Sequence, residues 1–168
     1  MYDVFDEKLT AVAGARGLVR VAVTIAETAP QAKEFSIART TDQWVYKANI
    51  AALVDLELDS RKDNLHHRSS GLDTTSAGLC ARHGTLVAIN IANLRTLDPV
   101  IIGRVMQNIE LCRQHHVSMC VLSFAKTENE LPHEQDVRSL LITLGMSPGE
   151  AKAATGAFGA AYERFKAK

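Results

Sequence analysis

The sequence carries no charge excess of either sign: 19 Lys and Arg face 19 Asp and Glu, for a formal charge of zero. Proteins that hold nucleic acid or a membrane surface by bulk attraction are strongly unbalanced, so any such contact here must come from a local patch. No apolar run approaches the ~18 residues of a membrane span. The N-terminal MYDVFDEK also lacks the basic-then-apolar order of a signal peptide. A soluble, cytoplasmic protein is the expectation. Cysteine is scarce as well, with only Cys80, Cys112 and Cys120 and no CxxC pair. That odd set argues against a disulfide framework and a Cys-based zinc site. All three lie among apolar neighbours, Cys120 within VSMCVL, and are expected as buried thiols.

Signatures of catalysis are missing too. There is no HxH or HExxH, no GxSxG elbow, and neither a GxxxxGK[ST] nor a GxGxxG phosphate loop. Four of the six histidines form the adjacent pairs His66-His67 and His115-His116. Neighbours point to opposite faces of a strand and sit ~100° apart on a helix, so neither pair can readily grip one ion. Acids near predicted strand ends, Glu57, Asp59 and Asp73, are interleaved with bases. No metal site and no protein-bound cofactor are expected, nor catalysis by this chain alone.

What is present is the composition of a globular domain, 168 residues with 46% hydrophobic and 23% charged, read as one domain over 1–168. Apolar, β-branched runs at 18–25 (LVRVAVTI), 35–38 (FSIA), 53–58 (LVDLEL), 85–91 (TLVAINI) and 117–124 (VSMCVLSF) predict strands. Helical periodicity separates the later ones. Leu72, Ser76, Leu79 and Cys80 share a face that Gly84 ends. Asp98-Pro99 opens a helix carrying Ile102, Val105, Ile109 and Cys112 up to His116. Val137, Leu140, Leu141 and Leu144 form a third stripe ending at Gly145. Ser147-Pro148-Gly149-Glu150 is a capping box ahead of Ala151, Ala154, Phe158, Ala161 and Phe165. Continuously apolar strands alternating with helices predict an α/β fold, a parallel sheet covered by helices. Ligands of such folds bind in loops at the carboxyl ends of strands, which directs attention to 59–70 and 126–134.

The first of those loops, with the residues after it, reads DSRKDNLHHRSSGLD and holds Arg61, Lys62 and Arg68 against Asp59 and Asp63. Guanidinium groups and free amides ahead of a helix suit phosphate oxygens. The alternative is a solvated charged loop. Lys126, after Ser123-Phe124, is a second candidate, with Ser123 offering a hydroxyl. The tail Arg164, Lys166 and Lys168 is a third, or simply a well-charged helix end.

Four stretches now acquire a common reading: AALVDLELD at 51–59, SSGLDTTSAGLCARHGTLVAIN at 69–90, VLSFAKTENELPHEQDVRSLL at 121–141 and LGMSPGEAKAA at 144–154. In order and spacing, residues 35–158 resemble the ribonuclease P protein family called component 3 in archaea, whose eukaryotic relative is the thirty-kilodalton subunit. The resemblance implies a TIM-barrel-like fold, related to the PHP phosphoesterases but without their metal ligands. Family members begin with one more strand and helix ahead of MYDVFDEKL, which implies a barrel incomplete at its N-terminus. It also implies a non-catalytic subunit of an endoribonuclease in which RNA, with Mg2+, removes the 5′ leader of precursor tRNA. Implied partners are the ribonuclease P RNA, a second protein subunit and, indirectly, precursor tRNA. By position, Arg68 and Asp73 match the basic residue and aspartate of the family's helix-opening motif, while Ser123, Ala125 and Lys126 fall in its second loop. The expected RNA-contacting set is thus Arg61, Lys62, Arg68, Ser123 and Lys126, with no catalytic or metal-binding residue. Two other classes compete: a degenerate metal-dependent phosphoesterase, and a protein-interaction scaffold with no RNA affinity at physiological salt.

Overall fold

The computed structural model describes residues 1–27, 34–48, 50–64 and 68–168. Seven short strands, β1 (Tyr2–Asp3), β2 (Val19–Arg20), β3 (Thr24–Ala26), β4 (Ser36–Ala38), β5 (Ala52–Leu53), β6 (Leu86–Asn90) and β7 (Met119–Leu122), all pair in parallel. The order β3-β4-β5-β6-β7 makes one sheet and β1-β2 a second. The two are joined at both edges. Residues 21–23 run straight from β2 into β3, and beyond β1 a parallel bridge pairs Phe5 with Ala125, just past β7. The described strands therefore close into a barrel-like ring of six staves, one of them shared by β2 and β3. The α/β expectation with a parallel sheet holds.

Helices α1 (Thr10–Ala15), α2 (Gln43–Lys47), α3 (Thr74–His83), α4 (Ile91–Leu94) and α5 (Pro99–Gln114) connect the strands, and α6 (Glu134–Thr143) and α7 (Pro148–Lys166) follow β7. Their ends obey local chemistry. Asp73 accepts from Ser76 N–H in a reciprocal capping box, Gly84 closes α3 at φ 68°, Asp98 caps α5 ahead of Pro99, and Ser147 and Glu150 box the start of α7. None of the described helices is long and apolar enough to cross a membrane.

Because strand side chains alternate, the staves bury two separate sets. Ile37, Ala52, Val54, Leu86, Ala88, Cys120 and Leu122 share one cluster with Phe158 of α7. Their neighbours Ala38, Leu53, Val87, Ile89, Met119 and Val121 pack with residues of α2, α3, α5 and α6. All five residues of β6 and all four of β7 are buried, which is why both read as unbroken apolar runs. Tyr2 and Phe35, at the starts of β1 and β4, pack on α7. Phe35 lies 5.4 Å from Phe158 and 5.2 Å from Tyr162, and a Cβ on Gly159 would lie 2.3 Å from the Tyr2 ring. Helix α7 thus covers the amino-terminal end of the staves.

Two predicted strands are corrected. Segment 18–25 is divided between β2, which pairs with β1, and β3, which pairs with β4. Segment 53–58 leaves the sheet after Leu53: Asp55 turns left-handed at φ 60° and Leu56–Leu58 forms a 3-10 turn, because the Asp55 carboxylate is drawn into hydrogen bonds with residues 35 and 38 positions away. The three cysteines are free and buried, as expected.

Candidate functional site

The carboxyl ends of β4, β5, β6 and β7 converge on a cavity of about 710 Å³. Each stave delivers residues to it: Arg39 and Thr40 from β4, Asp55 from β5, Asn90 from β6, and Phe124 and Lys126 from β7. Asp55 is the hub. Its Oδ2 accepts from Arg39 Nε at 2.7 Å, and its Oδ1 accepts from Asn90 Nδ2 at 2.7 Å and Asn93 Nδ2 at 2.9 Å. The Asn93 amide also donates to Glu57 Oε1 at 2.8 Å. Burial raises the Glu57 carboxyl above its ordinary range, opposed by that hydrogen bond. On the rim, Arg61 holds Asp59 through Nη2 at 2.6 Å and Nε at 2.9 Å, which lowers the Asp59 carboxyl.

The acids lining the cavity are therefore committed to cations and amides. Among the described residues, no group of three or more His, Cys, Asp or Glu is placed to hold a metal ion. What the cavity offers outward is cationic. The Arg39 side chain is 55% and the Arg61 side chain 71% exposed. Lys126 is exposed, and its ammonium has no ion-pair partner among the described residues. Three cations against two carboxylates favour an anion, and the arrangement suits binding rather than proton transfer.

The loop carrying Arg61 is held from α5. Arg104, almost fully buried, donates from Nη1 to the carbonyls of Glu57 (3.0 Å) and Asp59 (2.6 Å), from Nη2 to that of Arg61 (2.6 Å), and from Nε to Asp63 Oδ1 (2.9 Å). One turn further, Gln107 bonds Arg68 and Ser70, and Asn108 Nδ2 donates to the Ser70 carbonyl. Gly71 lets this return segment touch the turn after β5, since a Cβ there would sit 2.2 Å from the Leu56 carbonyl oxygen, at φ 74°. The loop is thus tied to α5 at both of its described ends.

Of the residues singled out from sequence, Arg61 and Lys126 share the cavity. Lys62 is exposed and Arg68 lies across Gly103 of α5, 3.5 Å from Asp63, and neither lines the cavity. Ser123 requires correction. It is fully buried, its Oγ accepts from Ala125 N–H at 3.2 Å, and its backbone N–H donates to Asp3 at 2.7 Å, so its hydroxyl is a structural tie and no surface contact. His66 and His67 lie outside the described residues. His115 and His116 end α5. Arg164 and Lys166 ride on α7, which covers the other end of the ring, with Lys166 5.5 Å from the Tyr162 ring centroid. Sequence reasoning passed over Arg39, although it directly follows a predicted strand and was reachable by the strand-end rule. Asn90, Asn93 and Arg104 carry no comparable local signal.

No family model matches the sequence. Ribonuclease P protein component 3 of Thermococcus kodakarensis is 29% identical over 90 residues, which is 51% of this chain and 41% of that protein, less than half of the relative's own length. Among solved structures, a chain of a cryo-EM structure of archaeal ribonuclease P with mature tRNA superposes with a TM-score of 0.60 at 17% identity, covering 98% of this chain and 78% of that one. This protein thus shares its fold with a component of an archaeal ribonuclease P complex and is similar over half its length to component 3.

Proposed function

We propose that this protein is a non-catalytic subunit of a ribonuclease P ribonucleoprotein that supports RNA-catalysed removal of the 5′ leader of precursor tRNA. The similarity to component 3 carries the reading. The mouth agrees with it: its acids are neutralised and its cations face outward, an arrangement that receives phosphate. In this reading the barrel is the TIM-like, PHP-related one, and Arg61 and Lys126 meet backbone phosphates of the ribonuclease P RNA while Lys62 and Arg68 flank the track. Mg2+ serves the RNA, the protein binds no cofactor, and a second protein subunit pairs with this one.

The test is cleavage of precursor tRNA by reconstituted ribonuclease P at limiting Mg2+, with and without this protein and its partner subunit. Stimulation that requires the RNA component is the expected result. Metal-dependent hydrolysis by the isolated chain would replace the reading with a lone phosphoesterase, and absence of stimulation in every combination would leave the scaffold. Within the complex, Arg68→Ala should reduce activity mainly at low Mg2+ and lower the slope of log affinity against log salt by about 0.7–1, the share of one phosphate contact. An unchanged slope removes Arg68 from the contact set.

A further inference from the structure

The mouth cavity has more room and more apolar wall than a phosphate contact needs. At about 710 Å³ it falls within the ~300–1,000 Å³ of small-molecule pockets. Leu56, Leu58 and Phe124 contribute to its lining, Leu58 with half of its surface exposed. Phe124 is also held at φ 47°, a left-handed conformation that bulky residues avoid. His116 shares that conformation, but it follows the end of α5, where a left-handed residue is common. Phe124 ends no helix: it leaves β7 between the buried Ser123 and Ala125. Strain held in place by fully buried neighbours at a cavity wall is the kind retained for a ligand. Two residues on, Lys126 lines the same cavity, as does Arg39 just past the end of β4.

An apolar surface that includes an aromatic residue, beside one cation held by Asp55 and a second that is unpaired among the described residues, matches a ligand with a flat apolar body and an anionic end. We propose that the cavity takes one unstacked nucleotide of single-stranded RNA, with its base against Phe124 and its phosphate at Lys126 and Arg39. This rests on the RNA-binding reading above and adds to it a base-dependent site, distinct from backbone contact along the rim. Base–aromatic stacking accepts any base, so the site selects for unpaired RNA and not for sequence.

The experiment titrates the full chain with AMP, ribose 5-phosphate and inorganic phosphate, following binding by calorimetry or chemical-shift changes. AMP should bind about tenfold tighter than ribose 5-phosphate, the contribution of one stacked base. Phe124→Leu, which keeps apolar volume but no aromatic face, should erase that ratio, and Phe124→Trp should retain it. Lys126→Ala should weaken both ligands by a similar factor. Equal affinities for AMP and ribose 5-phosphate, or no binding of either, would overturn the proposal, as would a ratio untouched in a folded Phe124→Leu protein. Should Phe124→Leu fail to fold, the wild-type ratio and the Phe124→Trp protein decide the matter. Failure here is separable from failure of the subunit role: stimulated cleavage without a base preference removes the nucleotide site alone, and a base preference without stimulation removes the subunit role alone.

Discussion

Replacing Arg104 by methionine is expected to lower stability by about 2–4 kcal/mol and to release residues 57–63 from α5. The side chain is 6% exposed and its guanidinium serves three main-chain carbonyls and one carboxylate. Methionine fills similar apolar volume, so the loss isolates the donors: the Glu57, Asp59 and Arg61 carbonyls and Asp63 Oδ1 lose these partners together. For a domain of this size the change corresponds to a fall in Tm of roughly 5–15 °C. Lysine should rescue little, because one ammonium cannot reproduce a planar fork directed at four acceptors. Urea unfolding supplies the stability, and hydrogen exchange over 57–64 locates the release. A variant with wild-type exchange in that segment would show that the loop is held by something other than Arg104. Because Arg61 sits in the same segment, the proposed RNA-binding role predicts that affinity for RNA falls with loop order, although Arg104 does not line the cavity.

The second large effect runs the other way. Asp3 lies fully buried in β1, where its Oδ1 accepts from the N–H groups of Ser123 and Val4 at 2.7 Å each and its Oδ2 has no partner. Burial pushes its carboxyl up to about 6, against the lowering effect of the Ser123 and Val4 hydrogen bonds. The native state therefore holds a proton that the unfolded chain, with a carboxyl near ~3.9, has released. The stabilisation from that proton is complete below pH ~4 and is lost as pH rises through about 6. At neutral pH the ionised form costs about 3 kcal/mol relative to a neutral group.

Asparagine keeps the Oδ1 acceptor that joins β1 to the segment after β7 and removes the charge. Asp3→Asn is thus expected to match or trail the wild type at pH 4 and to exceed it by about 1–3 kcal/mol at pH 7.5, the amide lacking an acceptor where Oδ2 lacked a donor. The measurement is the difference between the two unfolding free energies from pH 4 to 8, which cancels the groups they share. Parallel curves would mean that Asp3 does not titrate in this interval.

Much of the helical framework was legible because helix ends are decided within a few residues. Asp73 with Ser76, Asp98 with Pro99, and Ser147 with Glu150 cap their own helices, and Gly84 and Gly145 adopt the left-handed turns that end two of them. Segments 85–91 and 117–124 were legible because strands covered on both faces are apolar throughout. Strand β1 was not: two residues hold no period, and Tyr2–Asp3 is extended because β2 pairs with it.

The site divides along the same line. Position along the chain was enough to mark Arg61 and Lys126, since polar residues after parallel strands point to the mouth. Ser123 met that rule equally well and is buried, because β1 packs against the segment in which it lies. Nothing local distinguishes Arg104 from any other charge on a helix, and it is buried because residues 57–63 wrap around it.

By itself, then, the sequence determined the α/β class, four helices of which three carry their own side-chain caps, the buried thiols and the loops after β5 and β7, all through interactions that reach no further than a turn of helix or a run of strand. Closure of the ring, the left-handed turn at Asp55, the charge-compensated mouth and the burial of Asp3 and Arg104 were decided by tertiary structure. Each depends on partners tens of residues away, and the free energy of placing a charge or a carbonyl is set by the groups that fold around it.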